Sequence, residues 1–157
     1  MKLSLKSFLF ISFYVSTSFI APAQKPVITK IAKFKPPVVQ TFLGVNNNGA
    51  VVTKEEAEQL IALPLKITDA KKNTYPIDSY QFLYKRKSVV EDEETGKKQS
   101  TFTTLADIFK ATPLPEVWVD NLKGGFQKDE EIYFFDIVVE DNTGRKFPAP
   151  ELKITIQ

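Results

Sequence analysis

Apolar and polar positions alternate most cleanly at the end of the chain. There Leu152, Ile154 and Ile156 face one way, and Glu151, Lys153, Thr155 and Gln157 the other. A period of two marks a half-buried strand, so residues 151–157 are expected to form one. Residues 77–87 follow the same rule: Tyr80, Phe82 and Tyr84 share a side opposed by Ser79, Gln81 and Lys85, with Leu83 the exception. Shorter strand-like runs lie at 38–45, 65–68, 99–103 and 116–120, the last carrying the only Trp, Trp118. Turn signals separate them: Asn46 to Gly49, a charged tip around Thr95-Gly96, Gly124-Gly125, and Asp141 to Gly144. Asn, Asp and Gly tolerate the backbone angles that tight turns need.

Two stretches are expected to be helical. Thr53-Lys54-Glu55-Glu56 is a capping box, in which the Thr hydroxyl and the Glu carboxylate exchange hydrogen bonds with each other's amides. It predicts a helix over 54–62, with Ala57, Leu60 and Ile61 on one face and Pro64 ending it. A second helix is expected over 105–111, capped by Thr103 or Thr104 and closed by Pro113. Seven or eight short strands and two short helices make the fold class mostly β: a β-sandwich-like antiparallel domain with minor α+β character.

One strand breaks the pattern. In EEIYFFDIVVED, residues 130–141, one side (Tyr133, Phe135, Ile137, Val139) is wholly apolar. The other (Ile132, Phe134, Asp136, Val138, Glu140) is apolar with a carboxylate in the middle. The first side is assigned to the core. The second is expected either to pack beneath another part of the domain or to meet a partner. Asp136 divides the cases: buried, it would need hydrogen bonds or a cation; exposed, it would leave Ile132 and Phe134 exposed beside it.

The first segment changes the picture of the chain's length. Lys2 and Lys6 precede an apolar run from Phe8 to Ile20, and Ala21-Pro22-Ala23 follows. This is the pattern of a secretory signal peptide, shorter than the roughly 20 apolar residues that span a bilayer. The expected organisation is a signal peptide at 1–23, an N-terminal leader or edge strand at 24–37, and one β domain at 38–157. The expected location is periplasmic or secreted. The signal peptide takes two of the 21 basic residues, Lys2 and Lys6, and no acid, leaving 19 of each sign. A balanced surface disfavours nucleic acid as a partner, and stable membrane insertion after signal cleavage is not expected.

The chain has no His and no Cys. A Ser-His-Asp triad and a Cys-His pair are therefore excluded, as are the common zinc sites. Two carboxylate clusters remain, Glu91 to Glu94 and Asp129 to Glu131; both lie in turns beside lysines and read as solvated charge. Asp141-Asn142-Thr143-Gly144 offers too few ligands for calcium. Lys85-Arg86-Lys87 reads as the cross-strand complement of the acids at 91–94. No catalytic, cofactor-binding or metal residues are expected, and no cofactor.

The tail NLKGGFQKDEEIYFFDIVVEDNTGRKFPAPELKITIQ, residues 121–157, resembles the end of the C-terminal domain of the gliding-motility and type IX secretion protein family GldM, also called PorM. NNNGAVVTKEEAEQLIALPLKI, residues 46–67, looks like that domain's opening, and YPIDSYQFLYKRK, residues 75–87, is similar to its central strand. The order of these elements carries the resemblance, which spans 38–157. It implies a Bacteroidetes-type cell envelope, a β-rich periplasmic module, and contact with ring components at the outer membrane. Counterparts of the family's transmembrane anchor and long shaft are not expected, since the N-terminus reads as cleavable and one domain accounts for the rest. The expected function is thus a non-enzymatic soluble envelope protein working by protein–protein interaction, an accessory to a gliding or type IX secretion apparatus. Its partner would be an envelope protein or a second copy of the chain. On that reading Ile132, Phe134 and Val138 are the candidate contacts, with Asp136 as a specificity charge. The alternative is a secreted small-ligand or glycan-binding β module using exposed Tyr or Trp118.

Overall fold

A computed structural model describes residues 33–157, of which Lys35–Gln157 form one compact unit. The expected signal peptide lies outside the described residues, as does most of the 24–37 segment; residues 33–38 are not in a strand. The fold is mostly β and sandwich-like, with two short helices. A two-stranded ribbon pairs β1 (Val39–Leu43) with β3 (Leu65–Asp69). A six-stranded sheet runs β2 (Ala50–Val52), β8 (Leu152–Ile156), β6 (Glu131–Glu140), β4 (Ile77–Glu91), β5 (Lys98–Phe109), and β7 (Lys146–Pro148) also pairs with β6. All pairs are antiparallel except β2 with β8.

Rows of buried side chains cross the sheet. Phe82 faces Phe134, which faces Leu152; Tyr84 faces Ile132, which faces Ile154. The apolar complement comes from the ribbon (Val39, Leu43, Leu65, Ile67) and from the two helices. The first helix, α1 (Lys54–Leu60), begins as the sequence predicts: the Thr53 hydroxyl accepts from the Glu56 amide, and the Glu56 carboxylate accepts from the Thr53 amide. Ala57 and Leu60 are its buried residues.

The second helix is misplaced by the sequence pattern. Residues 105–111 do not form it: β5 continues as far as Phe109, pairing without interruption from Tyr80↔Phe109 to Glu91↔Lys98, and a bend follows. A continuous ladder on a long neighbour outweighs the weak helical spacing of Leu105 and Ile108. The helix instead is α2 (Glu116–Leu122), expected as a strand. Its alternating Val117 and Val119 suggest period two, but Trp118, Val119 and Leu122 share a helical face. Trp118 packs edge-on against Phe82 and Phe109, at 5.7 and 5.4 Å. Burial against these rings decides the conformation.

The irregular strand has a local cause. Gln81 faces Phe135 but Ser79 faces Val138, so β6 advances three residues where β4 advances two. Asp136 sits there at φ 47°, a left-handed conformation that Asp tolerates better than most residues. This β-bulge reverses the alternation. Before it Ile132 and Phe134 point into the core; after it Ile137 and Val139 do.

Asp141 organises the turn that follows. Its carboxylate accepts from the Thr143 hydroxyl and amide and from the Arg145 amide and guanidinium. These donors, the Thr143 hydroxyl foremost, hold its carboxyl well below the usual carboxylate range, against the opposing effect of burial. A depressed folded-state pKa contributes stability above the unfolded value, about 3.9 for Asp, and that contribution is lost as pH falls through the folded value. The stability gap between wild type and Asp141→Asn is therefore expected to be full near neutral pH and to shrink below about pH 4. Urea melts across that range check it; a gap independent of pH would refute the assignment.

Candidate functional site

The most exposed regular structure is β5. It forms one edge of the large sheet, and only Phe109 among its twelve residues is buried. Its partner β4 extends past the rest of the sheet: pairing between β4 and β6 stops at Lys85↔Glu131, while pairing between β4 and β5 continues to Glu91↔Lys98. Residues 86–91 and 98–103 thus form a projecting two-stranded ribbon. An edge strand presents unpaired backbone donors and acceptors. The Asp107 carboxylate accepts one of them, the Ile108 amide, at 2.8 Å.

The sheet's outer face continues this edge. Ile108 is 63% exposed and lies opposite Gln81, which in turn lies opposite Phe135. In the next row Ala106, Leu83 and Tyr133 are neighbours. Tyr133 and Phe135 stack at 5.2 Å with their planes 20° apart. Phe102 is also exposed, and the Lys85 ammonium lies 4.6 Å from its ring centre. The result is an apolar stripe with polar borders. Glu131 bonds Lys153 at 2.9 Å and Lys85 at 3.4 Å, and these ammonium groups, Lys153 first, lower its carboxyl pKa. Gln81 donates to Asp136 at 2.8 Å, and the Tyr133 hydroxyl donates to Glu151.

The contact set expected from sequence does not assemble. Ile132 is 0% exposed and Phe134 2%, Val138 is half-buried, and only Asp136 is exposed. Ile132 and Phe134 are core residues. Tyr133 and Phe135, assigned to the core from sequence, lie half-buried on the outer face. The bulge also separates Asp136 from Ile132 and Phe134, so its exposure leaves them covered.

The acidic clusters are likewise dispersed. Asp92 accepts from Thr95 and Glu94 within its own turn. Asp129 pairs with Lys87 at 2.9 Å. Lys85 and Lys87 thus meet Glu131 and Asp129, not the acids at 91–94; of those acids only Glu91 makes an ion pair among the described residues, with Lys98. Glu130 is fully buried, its carboxyl oxygens accepting from the Tyr84 hydroxyl and from the Lys87 and Gln127 amides. Burial, and secondarily this bond, push the Tyr84 phenol far above its ordinary pKa. No group of three or more metal-ligating side chains occurs among the described residues. No described helix is long and apolar enough to cross a membrane. Neither a scan against protein-family models nor a search of curated proteins gives a match.

Proposed function

We propose that this domain is a protein-binding module that receives an extended segment of a partner along β5. The observation that supports it is the long edge, unpaired by any other described strand, whose apolar side chains, Phe102, Leu105 and Ile108, are exposed. Strand addition draws affinity from backbone hydrogen bonds and specificity from side chains on alternate faces. The stripe through Leu83, Tyr133 and Phe135 would give the partner an apolar floor, and its ion pairs a polar rim. The resemblance to the GldM/PorM C-terminal domain adds the setting: an envelope protein, periplasmic or secreted, serving beside a gliding or type IX secretion apparatus. No cofactor enters this reading.

A photo-crosslinking residue at position 102 tests it in the cells that make the protein. One discrete adduct with an envelope protein is expected. Leu105→Lys combined with Ile108→Lys should abolish it, because charge on an edge blocks strand addition. Both positions are exposed, so the double variant is expected to unfold within about 2 °C of wild type. An adduct that survives the double substitution, or the absence of any adduct, would overturn the proposal.

A further inference from the structure

A cavity of about 480 Å³ opens on the projecting ribbon, where the core layer ends. Past the Lys85↔Glu131 pair, β4 has only β5 beside it. The loop before β6 stands next to this stretch: Phe126 packs edge-on against Tyr84 at 5.4 Å, and Gln127, the next residue, lines the cavity. Arg86 and Thr103 face each other across the ladder and line it too, with Ser88 and Ser100. The lining therefore combines a guanidinium, an ammonium, three hydroxyls, a carboxamide and one apolar residue, Val89, and includes no carboxylate.

The cations around it are differently committed. The sequence has two arginines, and Arg145 is engaged by Asp141 at 2.8 Å. Lys87, also in the lining, is engaged by Asp129. Glu130, the nearest buried acid in sequence to Gln127, has its oxygens occupied by three donors. Among the described residues Arg86 makes no ion pair.

We infer that this cavity binds a small polar molecule through an oxyanion, either a carboxylate or a phosphate or sulfate group, held by Arg86. The guanidinium offers paired N–H donors in a rigid fork that matches two oxygens of one such group. The hydroxyls of Ser88 and Thr103, on the Arg86 side of the ladder, can donate to a further oxygen or accept from a ligand hydroxyl, and the Gln127 amide can do both. The volume is many times the roughly 30 Å³ a water occupies, so the ligand carries a polar body as well as its charge; a sugar acid or a sugar phosphate has that chemistry. The site shares Ser100 and Thr103 with β5, but the inference does not rest on strand addition there.

The test titrates the full chain with inorganic phosphate, sulfate and glucuronate while amide resonances are recorded. Saturable shifts are expected at Arg86, Ser88, Ser100, Thr103 and Gln127. A response to glucuronate alone assigns a carboxylate ligand, and a response to phosphate or sulfate assigns a tetrahedral anion. Arg86→Gln should weaken binding at least about tenfold, since a charge-assisted bond is lost. Arg86→Lys should weaken it less, because charge remains without the fork. Lys66→Gln, an exposed lysine on β3, should leave it unchanged. No saturable shift with any probe, shifts scattered over surface lysines, or an Arg86→Gln variant that binds like wild type would each overturn the inference.

Discussion

Replacing Phe134 with alanine is expected to destabilise the domain by about 3–5 kcal/mol, the range for a large aromatic removed from a packed core. The ring sits 5.2 Å from Phe82 and 5.8 Å from Tyr80, and Phe82 in turn meets Trp118. Its removal leaves a cavity under α2 that these rings can only partly fill. Phe135→Ala, one residue on, is expected to cost about 1 kcal/mol, since that ring is half-buried and loses mainly its stacking on Tyr133. Urea unfolding followed by the fluorescence of Trp118, the only Trp, measures both. Equal costs, or a larger one at Phe135, would mean that strict alternation runs through the strand and that the bulge is wrong.

That pair of substitutions isolates what the sequence conceals. Ile132 and Phe134 form one alternating set, and Ile137 and Val139 another, out of phase by one residue. Read as a single strand of period two, the sets cannot share a face, and the strand looks apolar on both sides. The clue is Asp136, a residue tolerant of positive φ at the change of phase. An alternation that slips at an Asp is a bulge signature, and reading it so would place both sets in the core.

Elsewhere legibility follows how local the determinant is. The capping box at Thr53 and the turns at 46–49 and 141–144 depend on neighbours in sequence, and they form where the pattern puts them. The exchange of helix and strand between 105–111 and 116–122 is set by tertiary partners: β4 for the first segment, the rings of Phe82 and Phe109 for the second. The edge position of β5 is a property of strand order, which residue patterns do not encode. The same holds for the Arg86 cavity, whose wall at Gln127 is 41 residues away along the chain.

Glu130 is the case in which reading charge as solvated fails most completely, and its substitution is expected to be as costly as that of Phe134. In Lys128-Asp129-Glu130-Glu131 the outer acids find lysines at the surface, while Glu130 turns inward. Its side chain joins Tyr84 and Lys87 of β4 to the 127 loop, and its backbone carbonyl accepts from the Ile156 amide of β8 at 2.9 Å. Glu130→Ala removes the shared acceptor and strands three donors, two of them backbone amides. Unsatisfied buried donors cost about 1–3 kcal/mol each before relaxation. Water reaching the ribbon base offsets part of this, so a loss of about 3–5 kcal/mol is expected. Glu130→Gln keeps the shape but turns an N–H₂ toward the same donors, and should lose about 1–2 kcal/mol. Glu131→Ala, which breaks only partly exposed ion pairs, should stay within about 1 kcal/mol. The loss at Glu130 is also localised: amides of 86–91 and 98–103 should exchange faster than those of the β6–β8 ladder, because the ribbon loses its tie to the sheet. In a double-mutant cycle, Tyr84→Phe should recover little once Glu130 is gone, giving a coupling above about 1 kcal/mol. A Glu130→Ala variant as stable as Glu131→Ala, with ribbon exchange unchanged, would show that Glu130 does not anchor the arm. The Arg86 cavity and the Phe102 end of the proposed β5 site lie on that arm, so the anchor sets how rigidly they are presented.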